Sequence, residues 1–244
     1  MTYCVGMKLD SGLVFMSDTR TNAGLDNIAT YKKMYDWVVP DERVITLLSS
    51  GNLATTQSVV SQLQEQTRSA PAKSSTILNV SSMFKVAEII GRALRRVIQD
   101  NAVGGPSASS SFNASFILGG QIRGEAPSLF LIYPEGNFIE AGPSAPYLQI
   151  GEIKYGRPIL VRGFDSTLSF AEALRLLLVS FDSTIKANLT VGLPLHYYCY
   201  SNDSFHQGQT GQIRFDDEYF KHISETWGAS LKSALEALPG FPLE

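Results

Sequence analysis

Thr2, Asp18 and the pair Lys32-Lys33 are the residues of this chain whose types and spacing could do chemistry together. A threonine hydroxyl is a poor nucleophile at neutral pH. A free α-amine, with a pKa near ~8, can sit on the same residue and serve as its base. Met1 stands directly before Thr2, so removal of one residue would give Thr2 both roles. Taken singly, a small second residue signals only aminopeptidase trimming, an aspartate before Thr19-Arg20 is ordinarily a turn former, and a lysine is ordinarily a surface charge. Convergence changes that reading. Tyr3 to Leu9 and Gly12 to Ser17 read as strands joined at Asp10-Ser11-Gly12, a hairpin that returns Asp18 to the end where Thr2 starts. Adjacent lysines on an extended chain point to opposite faces, so only one of Lys32 and Lys33 can reach that end.

The run from Thr2 through Ser17-Asp18-Thr19-Arg20-Thr21-Asn22-Ala23-Gly24 to Lys32-Lys33, followed by the strand Arg43 to Leu48 and Ser49-Ser50-Gly51-Asn52, resembles the β-type subunits of proteasomes. Within that superfamily, the Thr-Tyr-Cys-Val-Gly opening and the segment Gly151-Glu152-Ile153-Lys154-Tyr155-Gly156 are similar to the bacterial ancestral beta subunit group, Anbu. The likeness is sharpest over Met1 to Leu53, and the order of strands and helices stays compatible to the C-terminus.

The resemblance implies an N-terminal-nucleophile peptidase. Thr2 Oγ1 would attack a peptide carbonyl while the Thr2 amine accepts the proton, directly or through water. Lys33 would hold an ammonium near that oxygen, and Asp18 would anchor Lys33 by a charged hydrogen bond. The family pattern favours Lys33, but a gap-free count falls one residue short there, which keeps Lys32 open. Gly51 would offer its backbone N–H to the oxyanion. Thr21, Ser49 and Leu53 would line the primary specificity pocket, small to medium in size and without strong charge, so no sharp preference for acidic side chains is expected.

Two departures stand out. Active proteasome subunits carry a serine where this chain has Glu152, and an aspartate followed by a serine where the nearest matches are Asn188 and Val191. Those groups position the threonine amine and tune its proton affinity. Glu152 could replace the serine as an anionic partner or pair with Lys154 or Arg157 as surface charge, and Thr190 could restore a hydroxyl. Weak or narrow activity on ordinary peptides is the expected consequence.

Positioning these groups falls to an alternation of strand and helix patterns. Helical spacing covers Leu53 to Arg68, with Val59, Val60 and Leu63 on one face, and Ser81 to Gln99, with Met83, Val86, Ala87, Ile90, Leu94 and Val97. A Gly, Ser and Ala-rich connection, Asn101 to Ser111, follows. Period two returns at Phe112 to Leu118, with Gly119-Gly120 read as a turn, then at Leu129 to Tyr133 and Tyr147 to Ile150. A helix over Ser169 to Lys186, strands over Leu195 to Tyr200 and Gln212 to Asp216 around a loop from Ser201 to Gly211, and a helix over Asp217 to Leu238 complete the chain. Grouped helices and hairpin-linked strands predict an α+β fold, and the family fold is a four-layer αββα sandwich of two antiparallel sheets between helical layers. Residues 1–244 read as a single peptidase domain, which 244 residues with 44% hydrophobic content can support.

A net charge of −3 and no clustered Lys/Arg stripe give no electrostatic case for nucleic acid. No apolar run reaches the ~20 residues of a membrane helix, and no signal peptide opens the chain, so a cytoplasmic protein is expected. Cys4 and Cys199 read as buried thiols. His196, His206 and His222 lack metal-site spacing, so neither a metal nor another cofactor is expected. His206-Gln207-Gly208-Gln209-Thr210-Gly211 has no following lysine and is no phosphate loop. Three functions fit these residues: a self-assembling homo-oligomeric peptidase acting on peptide or unfolded protein, with helical faces such as Leu53 to Arg68 and Ser81 to Gln99 meeting neighbouring subunits; an amidase of the same chemistry on a small or isopeptide amide; and a non-catalytic assembly subunit that keeps Asp18 and Lys33 as an ion pair.

Overall fold

Alternating apolar residues near the start of the chain form the hairpin β1 (Tyr3–Leu9) and β2 (Gly12–Asp18). In the computed structural model, which describes residues 2–22, 28–69, 74–102 and 111–242, the chain continues through a short two-stranded ribbon, β3 (Arg20–Asn22) and β4 (Ile28–Thr30), and then β5 (Met34–Val39) and β6 (Arg43–Gly51). Helices α1 (Leu53–Ser69) and α2 (Met83–Asn101) follow. Next come β7 (Ala114–Ile122), β8 (Ser128–Ile132), β9 (Phe138–Glu140) and β10 (Tyr147–Gly151). The last part of the chain holds α3 (Arg157–Gly163), α4 (Phe170–Ala187), β11 (Leu195–Ser201), β12 (Gln209–Ile213) and α5 (Glu218–Glu236).

The strands build two antiparallel five-stranded sheets, in the orders β10-β1-β2-β11-β12 and β5-β6-β7-β8-β9. Each sheet turns one apolar face toward the other. Cys4, Leu13, Phe15, Leu48, Ile117, Leu129, Ile150 and Tyr198 fill the space between them. On the far side of the second sheet, Val59, Leu63, Val86, Ile90 and Leu94 of α1 and α2 pack with Ile45, Leu47 and Phe116. Opposite, Leu160, Leu177 and Phe181 pack with Val5, Met7 and Met16 under α3 and α4. Three apolar layers between four layers of secondary structure make the αββα sandwich, and each fully buried Leu or Phe contributes about 1.5–3 kcal/mol.

Helix starts follow local chemistry. Ser169 accepts from the Glu172 N–H while Glu172 reaches back to the Ser169 N–H, a reciprocal capping box. Asp217 caps α5 by accepting from the Phe220 N–H at 2.7 Å, and Ser82 rather than Ser81 caps α2. Among the described residues no helix is long and apolar enough to cross a membrane.

Two expectations need correction. Gly119-Gly120 is no turn but lies within β7, because the sheets approach so closely there that a Cβ on Gly119 would sit 2.5 Å from Phe15 Cζ. The chain reverses later, at Arg123-Gly124, where Gly124 has φ +90°. The last strand covers Gln209–Ile213 rather than Gln212 to Asp216. Tyr198 Oη accepts from the Gly208 N–H at 3.0 Å, which brings the chain back beside β11 earlier, and an edge strand with one open face needs no apolar alternation. Helix α3 and strand β9 had no sequence reading at all. The proposed connection Asn101 to Ser111 lies mostly outside the described residues, with Asn101 ending α2. Ala23-Gly24 and Met1 lie outside them too.

Candidate active site

Thr2 sits one residue before β1 at the edge of the inter-sheet core and is 6% exposed. Its carbonyl accepts from the Glu152 N–H at 2.7 Å, so the end of β10 holds one side of the residue. On the other side Asp18, the last residue of β2, accepts from the Tyr3 N–H through Oδ1 at 3.0 Å. The same oxygen accepts from Lys33 Nζ at 2.8 Å. One carboxylate atom therefore fixes both the peptide that follows Thr2 and the ammonium that faces the same cleft.

Lys33 is 4% exposed and also donates to the Arg20 carbonyl, so two of its three N–H groups are used among the described residues. Lys32 points outward, where it lies 3.9 Å from Asp36 with more than half its side chain exposed. The alternative between the two lysines is thus decided by geometry. Asp18 is fully buried. Burial pushes its carboxyl above the ordinary carboxylate range, and the Lys33 ammonium together with the Tyr3 and Gly192 amides pulls it back down. Its Oδ2 has no hydrogen-bond partner among the described residues.

Gly51 closes β6 with φ +109°. A Cβ there would lie 2.4 Å from the Asn113 carbonyl oxygen, so only glycine lets β6 and β7 stay paired to their ends. The Ser49 N–H donates to the Lys33 carbonyl on the β5 side, and amide directions alternate along a strand. The Gly51 N–H accordingly faces the β5 side too, past the first paired residue of β5, Met34.

That side is a cleft of about 510 Å³. Thr2, Thr21, Lys33, Ser49, Gly51 and Leu53 all line it, together with Ser50, Asn52, Thr56 and Gly151. Of the residues expected in the catalytic group or the specificity pocket, all but the fully buried Asp18 line this cleft. The sequence reading missed Gly151 as a lining residue. Its signal was available: a glycine at the end of a strand, in a segment singled out for other reasons, with φ +86° and no space for a side chain against the Thr2 carbonyl.

Glu152 and Asn188 sit behind the cleft, not in it. Glu152 is buried, its Oε2 accepts from Asn188 Nδ2 at 2.8 Å, and Oε1 lies 3.7 Å from the exposed Lys154. Asn188 Oδ1 in turn accepts from the Thr190 N–H and hydroxyl. Cys4 lies under the floor, its thiol toward the Ser49 carbonyl at 3.6 Å and pushed well up by burial, so it is no competing nucleophile. Cys199 is also a buried free thiol. Among the described residues no group of three or more His, Cys, Asp or Glu side chains is placed to hold a metal.

No protein-family model matches the chain, and no curated protein does. Solved structures do. The chain is 45% identical to Anbu (ancestral beta-subunit) from Yersinia bercovieri, with a TM-score of 0.91 and 99% of each chain covered. It is 45% identical to Anbu from Hyphomicrobium sp. strain MC1, with a TM-score of 0.91 over 99% of this chain and 100% of that one. It is 44% identical to Anbu from Pseudomonas aeruginosa, solved as a helical assembly, with a TM-score of 0.91 and 98% of each chain covered.

Proposed function

The chain belongs to the Anbu (ancestral beta-subunit) family, and from that premise we propose that it is a proteasome-like threonine peptidase whose nucleophile is Thr2 once Met1 is removed. The observation that carries the reading is Asp18 Oδ1, which holds the Tyr3 amide and the Lys33 ammonium at the wall of the cleft that contains Thr2.

The chemistry follows from those positions. The freed Thr2 amine takes the hydroxyl proton, directly or through water, and Oγ1 bonds to the substrate carbonyl carbon. Lys33 favours the oxygen in its ionised form. The tetrahedral oxyanion accepts from the Gly51 N–H. The C–N bond breaks as the leaving amine receives the proton held by the Thr2 amine. Water, activated by that same amine, then hydrolyses the ester and restores Thr2. Asp18 acts through Lys33 and Tyr3 and is a positioning residue. Thr21, Ser49 and Leu53 would receive the side chain on the acyl side of the scissile bond, a weakly polar pocket suited to small or medium residues.

Self-assembly is part of the proposal. The Pseudomonas relative is described as a helical assembly, and exposed Leu231, Leu235, Leu238 and Phe241 near the end of this chain offer apolar surface for subunit contacts.

The test is intact mass after treatment with a small acylating electrophile such as a β-lactone. Met1-free protein should gain one acyl group on Thr2, while Thr2→Ala and Met1-retaining protein should gain none. Peptide turnover by Thr2→Ala equal to that of the parent would overturn the proposal.

A further inference from the structure

A second cavity, of about 490 Å³, backs onto the Thr2 cleft. Ser50, Gly51 and Gly151 line both and form their common wall. Apart from the Ser50 side chain, that wall is glycine backbone for a steric reason. A Cβ on Gly51 would lie 2.4 Å from the Asn113 carbonyl oxygen, and one on Gly151 would lie 1.8 Å from that of Thr2. Beyond it the cavity is bounded mainly by Ala114, Leu131, Tyr133, Pro134, Ile150 and Ile153, with Asn113, Ser115 and Gln149 as its uncharged polar residues, from the start of β7, the end of β8 and the end of β10. Among the described residues no Asp, Glu, Lys or Arg lines it, whereas the Thr2 cleft holds the Lys33 side chain.

Acyl transfer sends the two substituents of the reacting carbonyl in opposite directions. With that carbon between Thr2 and the Gly51 amide, the acyl side runs toward Thr21, Ser49 and Leu53. The amine side must then pass over Gly51 and Gly151. We propose that the second cavity binds the leaving-group half of the substrate, and that the residue after the scissile bond carries an uncharged aliphatic or aromatic side chain. The proposal rests on the Thr2 nucleophile reading. A mainly apolar lining gains from each hydrocarbon group it covers, and without a charged partner it disfavours a carboxylate or ammonium.

Aminolysis of the acyl-enzyme is the reverse of amide cleavage, so an added amine must occupy the leaving-group position. Its nitrogen attacks the Thr2 ester carbon, its proton passes through the Thr2 amine to Oγ1, and the ester C–O bond breaks. Met1-free full-length protein is first acylated with a β-lactone, and loss of the acyl group is followed by intact mass in glycinamide, leucinamide, phenylalaninamide or aspartic acid α-amide at equal concentration. Leucinamide and phenylalaninamide should accelerate the loss at least about tenfold more than the other two, the scale on which apolar pockets discriminate. In Ile153→Asp the advantage of leucinamide and phenylalaninamide over glycinamide should disappear, and lysinamide added at the same concentration should outpace all four. Four rates within twofold of one another, or an order unchanged in Ile153→Asp, would overturn the assignment of this cavity alone. Failure of Thr2 to acylate at all would instead remove the peptidase reading, and this inference with it.

Discussion

Gly51→Ala separates the backbone amide from every side chain of the site, and the structure sets its cost. An alanine at φ +109° occupies a region that L residues rarely adopt, at about 1–3 kcal/mol. Its Cβ would also meet the Asn113 carbonyl oxygen at 2.4 Å and Ala114 Cα at 2.7 Å. Both are backbone atoms of the paired strand β7, so the contact is relieved only by parting the ends of β6 and β7. Torsion and displacement together come to about 2–4 kcal/mol, or a melting temperature lower by roughly 5–15 °C in a chain of this size. Because the peptide between Ser50 and Gly51 moves with that separation, the amide leaves the oxyanion position, and loss of one such donor costs about 10²–10³ in rate. The assay is the rate of Thr2 acylation by intact mass at 20 °C, alongside urea unfolding curves. A folded Gly51→Ala protein that acylates at the parent rate would refute the role of this amide, and parent-like unfolding would refute the strain argument.

Lys33→Met leaves the buried Asp18 carboxyl with amide donors only. Burial already holds that carboxyl above its ordinary value, and removing the ammonium removes the largest opposing pull, so it rises further. A group whose folded pKa lies above its unfolded value stabilises the fold below the unfolded value and loses that contribution as pH rises through the folded one. Lys33→Met should therefore match the parent near pH 4 and fall progressively behind toward pH 7 in urea unfolding, by about 1.4 kcal/mol for each unit of extra elevation; a gap independent of pH would contradict this. Acylation of Thr2 at pH 7.5 in the same variant should fall by ~10² or more. Gly119→Ala should destabilise by about 1–3 kcal/mol, since the added methyl meets Phe15 from the facing sheet, and an unchanged unfolding midpoint would show that the sheets separate freely.

The chain betrays its site more readily than its loops. Thr2, Asp18 and the lysine pair were legible because a two-stranded hairpin has a fixed return: β1 and β2 pair from Leu9 with Gly12 to Cys4 with Ser17, which places Asp18 beside Tyr3 without any tertiary information. The choice of Lys33 over Lys32 was not legible, since alternation says that one of two adjacent side chains turns inward but not which. Capped helices were placed within two or three residues because Ser169 and Asp217 announce their starts. Gly119-Gly120 misled because a pair of glycines marks a turn only if nothing else needs the space, and here Phe15 does. Gln209–Ile213 was shifted because an edge strand with a polar open face lacks the apolar period that identifies central strands. Glu152 and Asn188 were each found, but their contact spans 36 residues and could not be read from either.

That contact makes one change out of what looks like two. By the resemblance, an active proteasome subunit holds a serine where this chain has Glu152 and an aspartate where it has Asn188. Here Glu152 supplies the carboxylate and Asn188 the N–H donor, 2.8 Å apart. Changing serine to glutamate alone would bury two carboxylates against each other, a repulsion that only proton uptake could relieve. Asparagine removes the second charge and donates, and its own carbonyl is satisfied by the Thr190 amide and hydroxyl. The anionic member of the pair is therefore the residue whose backbone amide holds the Thr2 carbonyl, and the exposed Lys154 lies 3.7 Å from its other oxygen.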